Sequence, residues 1–225
     1  MKNRVDLARD YILERILDGT FPPGSSLREV GLARSLNVSQ ATVREALHTL
    51  EYSGLISRER NVGTTVTRLT PKDLTERVTL RSLLEIRAAI EASQQMGPQE
   101  FAELDRRQKA ADDLIPTSRY FEAAQADLDF HRFVWQCSGN QILARVLEQI
   151  TVPLIAFVTI VRSSSLERLF NLRLSHEPLV EALKSRDPSR IEAAFKEGVE
   201  ASYRDYTIAT KKGQQAVAFG WLATP

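Results

Sequence analysis

Arg44, Gln40, Thr42 and Ser39 fall within nine residues, Ser39-Gln40-Ala41-Thr42-Val43-Arg44-Glu45-Ala46-Leu47. On a helix, Arg44 faces away from Val43 and Leu47. Its planar fork of N–H donors suits a guanine edge or a phosphate; otherwise it pairs with Glu45 or Glu51 on the surface. Gln40 suits a base edge, notably adenine, and brings no charge to a phosphate. Ser39 and Thr42 lie at the helix start, where hydroxyls and backbone N–H groups meet nucleic acid. Ser39 serves equally as an N-cap. Arg58 and Arg60 flank the tip Asn61-Val62-Gly63. There the arginines suit phosphates, and Asn61 and Gly63 suit a minor groove or a phosphate, unless the tip is an ordinary hairpin turn.

A second set of groups lies far downstream. Asp127 and His131 are four apart and project from one helical face, which borders Phe121, Ala124, Leu128 and Trp135. That face points to the interior, where polar groups need a partner or a ligand. The pair is either an internal Asp–His hydrogen bond or part of a metal site. Arg87 lies on the run Leu80, Leu83, Leu84, Ile90. A buried guanidinium there wants a carboxylate, supplied by a small-molecule effector or by Glu91, four residues on. Arg173 is a second arginine of this kind. Trp135, Phe157 and Phe170 read as core.

These groups need elements to position them. Leu32, Leu36, Val43 and Leu47 sit where two crossing helices need apolar residues, Ala33 where they approach closely, and Asn37 in the turn. That is a helix-turn-helix, whose second helix enters a major groove. An amphipathic helix over 4–18 precedes it, on the stripe Leu7, Tyr11, Ile12, Ile16, Leu17, with Gly19 as its stop. Leu55–Arg60 and Thr64–Arg68 read as two short strands, which makes the unit winged. Thr70-Pro71-Lys72-Asp73 is a helix start, and the domain boundary is placed there. Helices are expected near 73–95, 98–114, 118–137, 140–162, 165–185 and 188–210, separated by Gly97-Pro98, Pro116, Ser138-Gly139-Asn140, Ser163-Ser164-Ser165 and Asp187-Pro188. The expected fold is mainly α: residues 1–69 a winged helix-turn-helix, 70–210 an all-α antiparallel bundle, and 211–225 a tail.

Bulk properties narrow the classes. The 225 residues carry a formal net charge of +1, and residues 1–70 hold ten Lys/Arg against eight Asp/Glu. DNA contact must then come from placed arginines rather than bulk charge. One cysteine, Cys137, excludes an internal disulfide and fits a reducing, cytoplasmic setting. No signal-peptide pattern opens the chain. The longest apolar run, Thr151 to Val161, is shorter than the ~20 residues of a membrane span. It reads as a buried helix with Pro153 near its start or kinking it.

Phe21-Pro22-Pro23-Gly24, Leu27-x-Glu29, Leu32-Ala33, Val38-Ser39, Val43-Arg44-Glu45-Ala46-Leu47 and Gly54-Leu55-Ile56 resemble the GntR winged-helix transcription regulators. Glu85-Ile86-Arg87 with Glu91, Asp127-x-x-Phe130-His131, Ser138-Gly139-Asn140 and His176 resemble the FCD ligand-binding domain of the FadR subfamily. The resemblance implies a homodimer that binds double-stranded operator DNA. It also implies that this affinity changes when a small molecule, often a carboxylate, fills the bundle. In many FCD domains an Asp and three His hold a divalent metal (Zn, Ni or Mn). Asp127, His131 and His176 match the first three positions, and Gly198 stands where the last His is expected. The chain also departs at Gln40 and Ala41, where the family commonly has Arg and then Thr or Pro.

Three functions compete. The first is a ligand-responsive, DNA-binding regulator with no catalytic residues. The second is a metal-dependent enzyme or sensor built on Asp127, His131 and His176, whose two-His, one-carboxylate set would leave positions open. The third is a helical module whose wing binds protein. Salt-dependent, sequence-specific DNA binding marks the first.

Overall fold

Local sequence signals set the helix starts. In the computed structural model, which describes residues 3–59, 63–117, 119–163 and 175–211, helix α1 (Arg4–Leu17) begins at a capping box. The Asn3 side chain accepts from the Asp6 N–H, and the Asp6 carboxylate accepts from the Asn3 N–H. Helix α2 (Glu29–Leu36) ends at Asn37, which takes the left-handed conformation at φ 52° and ψ 46°. That conformation is costly for most side chains and tolerated by asparagine. It turns the chain directly into α3 (Gln40–Tyr52).

Strands β1 (Ile56–Glu59) and β2 (Gly63–Val66) pair antiparallel, with Ile56 opposite Val66 and Glu59 opposite Gly63. Strand β1 begins one residue later than the sequence suggests, and β2 begins one residue earlier and ends two earlier. Ile12, Ile16, Leu32, Val43, Ala46, Leu47, Leu50, Leu55 and Val66 close the core of this winged unit.

Helix α4 (Pro71–Gln95) starts at a second capping box, Thr70 with Asp73. It packs on α6 (Tyr120–Cys137), α7 (Gln141–Ser163) and α9 (Pro188–Lys211). Helix α5 (Pro98–Asp112) lies on α6, and α8 (Glu177–Ser185) on α9. The helix expected over 165–185 begins, within the described residues, only at Glu177; Ser175 and His176 precede it as non-helical chain.

Helix α7 carries the apolar run expected to form a buried helix. Its apolar stretch runs from Gln141 to Ile160 with mean hydropathy 1.6, so by length and composition alone it would cross a membrane. Just over half of that stretch, 56%, is buried in the protein. The reason is that α7 packs on both units: Leu143, Leu147, Val152, Ile155 and Ala156 join one cluster that runs from α6 into α1, α3 and the wing. A helix covered on several sides is apolar all round. Pro153, moreover, lies mid-helix. It lacks the N–H that would bond the carbonyl of Gln149, and Arg77 Nη1 donates to that carbonyl instead, at 2.9 Å.

The winged unit docks at this proline break. Gly54 has φ +75°, and a Cβ there would lie 2.9 Å from the Gln149 carbonyl oxygen and 3.3 Å from Pro153 Cγ. Gly54→Ala adds backbone strain to a clash with main chain, and is expected to destabilise the protein by about 2 kcal/mol. Thermal unfolding checks this. A midpoint equal to the parent's would mean the two units do not rest on each other here.

Candidate functional site

The exposed face of α3 carries the first group of sequence candidates. Ser39 caps α3, its Oγ accepting from the Thr42 N–H at 3.1 Å and lying 2.9 Å from the Thr42 hydroxyl. Gln40 and Arg44 are exposed. Arg44 pairs with neither Glu45 nor Glu51. Its guanidinium grips Glu29 on α2, Nη2 donating at 2.8 Å and Nε at 3.2 Å. This contact holds the Glu29 carboxyl below its ordinary range.

Arg58 on β1 leans back toward α3, between Glu51 at 3.5 Å and Glu29 at 3.9 Å, and does not flank the wing tip freely. Its Nη1 also lies 3.5 Å from His48 Nε2. Gly63 opens β2. Arg60 and Asn61 lie outside the described residues.

The second group meets inside the bundle, in a cavity of about 260 Å3 lined by α4, α5, α6, α7, α8 and α9. Asp127 and His131 come from α6, and His176 from the residue before α8. Their donor atoms lie within 4.8 Å of one another. His176 is held from behind by a hydrogen bond, whereas His131 approaches Glu85 without hydrogen-bond geometry. His176 Nδ1 is 2.8 Å from Asp112 Oδ1, and His131 Nδ1 is 3.3 Å from Glu85 Oε2. Both Nε2 atoms then face Asp127 Oδ1, at 3.1 Å for His176 and 4.0 Å for His131.

Asp112, at the end of α5, also fixes the chain around His176. It accepts from the His176 backbone N–H, the Ser175 hydroxyl and the Gln108 amide. Burial pushes the His176 pKa down, but the bonds to Asp112 and then Asp127 outweigh it and raise it to about 9. Burial likewise favours the protonated form of Asp112 and Asp127, and the bond to His176 overrides it, leaving both carboxyls well below their usual range.

The effector arginine is corrected. Arg87 is not buried: its side chain is 69% exposed and paired with Glu91 at 2.6 Å. Arg81, six residues earlier on the same helix, is 3% exposed and lines the cavity. Its Nε donates to Glu85 at 3.1 Å and its Nη1 to the Tyr203 hydroxyl at 2.6 Å. Burial and the neighbouring Glu85 act in opposite directions on Arg81, and the ion pair prevails, keeping the guanidinium charged. Arg173 lies outside the described residues. Gly198 lines the cavity, and a Cβ on it would meet Leu179 Cδ2 at 3.2 Å, so a larger side chain requires Leu179 to give way.

Sequence reasoning missed Arg81, Asp112 and Tyr203. Arg81 and Glu85, at i and i+4 on the side of α4 that also carries Leu74, Val78, Ala88 and Ala92, were a readable signal. Asp112 carried none, because its role depends on where α5 stops.

Residues 5–66 match the family described as "Bacterial regulatory proteins, gntR family", and residues 76–201 match the FCD domain. The chain is similar to a "Probable D-xylose utilization operon transcriptional repressor" of Paenarthrobacter nicotinovorans, at 32% identity over 209 residues, covering 92% of this chain and 90% of that one. It is also similar to the uncharacterized HTH-type transcriptional regulator YdhC of Bacillus subtilis, at 28% identity, covering 79% of this chain and 80% of that one. Among solved structures, E. coli McbR/YncC shares the fold with a TM-score of 0.69 at 20% identity, covering 95% of this chain and all of that one.

Proposed function

The chain belongs to the gntR family of transcriptional regulators, with a DNA-binding winged helix and an FCD domain, and we propose that a small carboxylate filling the bundle cavity shifts its affinity for operator DNA. The observation that carries this reading is the meeting of Arg81, His131 and His176 in a cavity of about 260 Å3 whose other walls include Ile155, Val158 and Leu179. Cationic and imidazole groups against apolar walls suit a small acid with an apolar body.

We read Asp127, His131 and His176 as the protein ligands of a divalent metal (Zn, Ni or Mn). The donor set fits, because a metal-binding imidazole has its second nitrogen oriented by an acceptor: Asp112 is hydrogen-bonded to that of His176, and Glu85 stands 3.3 Å from that of His131. Bound there, such an ion would offer its open positions to the effector's carboxylate as a Lewis acid. Arg81 and Tyr203 then orient the acid from the α4 and α9 side, and Leu179 and Phe195 exclude water. Leu179 packs against Gly198 in this wall, so that a larger side chain there would displace it.

On the DNA side, Arg44, Gln40 and Thr42 read the major groove, Ser39 serves as cap, and the wing, with Arg58, Arg60, Asn61 and Gly63, follows the backbone. A second copy of the chain supplies the other half-site. Leu80 and Leu83 on α4 and Ile142 and Val146 on α7 are exposed apolar side chains that a partner would cover. We divide the chain at 1–69, 70–210 and 211–225 and place the protein in the cytoplasm.

Selection of bound duplexes from a random pool, at moderate salt, is expected to return a short palindrome. A panel of small acids, with D-xylose beside them because a relative's name concerns its utilisation, is then tried on the selected duplex. At least one acid is expected to change affinity about 5- to 150-fold, the usual range of allosteric coupling. Arg87→Ala keeps that response, since the side chain stands outside the cavity. A response to D-xylose and to no acid would overturn the carboxylate assignment, and recovery of no specific duplex would overturn the operator reading.

A further inference from the structure

We propose that the chain holds a second small-molecule site, in the seam between the winged unit and the bundle, for a neutral and largely apolar molecule carrying one acceptor oxygen. A cavity of about 330 Å3 lies there, larger than the one inside the bundle. Leu13 and Leu17 of α1 and Leu50 of α3 form one wall; Leu128 and Trp135 of α6 and Val152 of α7 form the other. Trp135 is 2% exposed, and its indole Nε1–H is buried with no acceptor. An indole is a donor only, and a buried donor without a partner is costly. A molecule that brings an oxygen to this edge removes the cost.

Charge in the walls argues against an ionic occupant. Arg9 is paired with Asp10 at 2.8 Å, and Arg132 is paired with Glu148. Arg145 is exposed, at the surface of the helix. The wall is largely apolar; its buried Ser53 hydroxyl donates to the Leu50 carbonyl, and among the described lining residues the indole N–H is the buried donor left without an acceptor.

The site is distinct from the bundle cavity yet touches it. His131 faces the bundle cavity, and Trp135, one turn on, lines the seam, with 6.2 Å between the ring centroids. Ala124 and Ile155 belong to both walls. An occupant of the seam presses on the stretch of α6 that carries the bundle histidines. It also touches α1 and α3 directly, and so sets how firmly the winged unit is docked.

The probe is 4′-fluoroacetophenone, a neutral ring with one carbonyl oxygen, with 4-fluoroethylbenzene as its counterpart lacking the acceptor. Fluorine NMR of each with the full-length protein measures binding. Proton–nitrogen spectra follow the Trp135 Nε1–H, distinguished from Trp221 by its disappearance in Trp135→Phe. The expected result is saturable binding of the ketone with a downfield move of the Trp135 signal. Ala144→Leu, which fills the seam, is expected to weaken it at least tenfold. Trp135→Phe weakens ketone binding ~2- to 10-fold, as loss of one hydrogen bond does, and leaves the ethylbenzene unchanged. Should Ala144→Leu fail to fold, the Trp135→Phe comparison decides. No saturable binding, binding that survives in folded Ala144→Leu, an unmoved Trp135 signal, or equal losses for both probes in Trp135→Phe would each overturn the proposal.

Discussion

Arg44→Ala is expected to weaken operator binding about 5- to 150-fold per half-site if the guanidinium reads a guanine, and by the square of that factor on a two-site operator. The basis is pre-organisation. Two nitrogens of Arg44 lie on the Glu29 carboxylate across the helix-turn-helix, which fixes the plane of the fork before any DNA arrives. The remaining edge of that plane keeps donors for an outside acceptor. Lysine cannot share two contacts with Glu29 and still present a fork, so Arg44→Lys should fail almost as badly. Glu29→Gln should cost less, because it loosens the arginine without removing it.

Two readouts say what Arg44 touches. Relaxed sequence preference marks a base contact; uniform weakening with a shallower salt dependence, by about one unit per protomer, marks a phosphate. Affinity equal to the parent's, in a variant with unchanged oligomeric state, would remove Arg44 from the interface.

The helix-turn-helix was legible because its constraints are local. Asn37 in a left-handed turn, Ser39 as a cap and apolar residues at crossing positions depend on neighbours a few residues away, and each lies where those patterns put it. Pairing partners were not legible. Spacing offers Arg44 only Glu45 and Glu51 on its own helix, whereas its partner, Glu29, arrives from the preceding one.

Helix α4 misleads for a more instructive reason. The run Leu80, Leu83 and Arg87 looks like a core stripe, yet Leu80 is 49% and Leu83 61% exposed. The buried stripe contains Arg81, Ser82 and Glu85. Apolar periodicity marks an apolar face, and on this helix that face is exposed, while the face turned to the interior carries a paired polar site. A single sequence does not say which is which. Likewise, the pairing of Asp127 with His131 follows from a four-residue spacing. The arrival of His176 and Asp112 depends on where α5 stops and α8 starts, which no local pattern encodes.

Removing a metal ligand or its support should separate the two fates open to the bundle site. Protein prepared without chelators is expected to contain a divalent metal. His176→Ala is expected to lower metal affinity at least ~100-fold, and Asp112→Asn about 10- to 100-fold, the usual range for loss of a supporting group. The Asp112 effect is the more informative. Its carboxylate does not point at Asp127; it touches the far nitrogen of His176 and the backbone that carries that residue. If the network is only an internal tether, Asp112→Asn loosens the start of α8 and lowers the melting temperature, with metal content near zero in parent and variant alike. If His176 is a ligand, the parent melts higher with added metal, and that increment shrinks in Asp112→Asn while Arg87→Ala keeps it. A metal-free parent whose melting temperature does not respond to Zn, Ni or Mn would sink the metal assignment. The cavity would then bind its acid through Arg81, because both ring nitrogens of His176 are taken by Asp112 and Asp127.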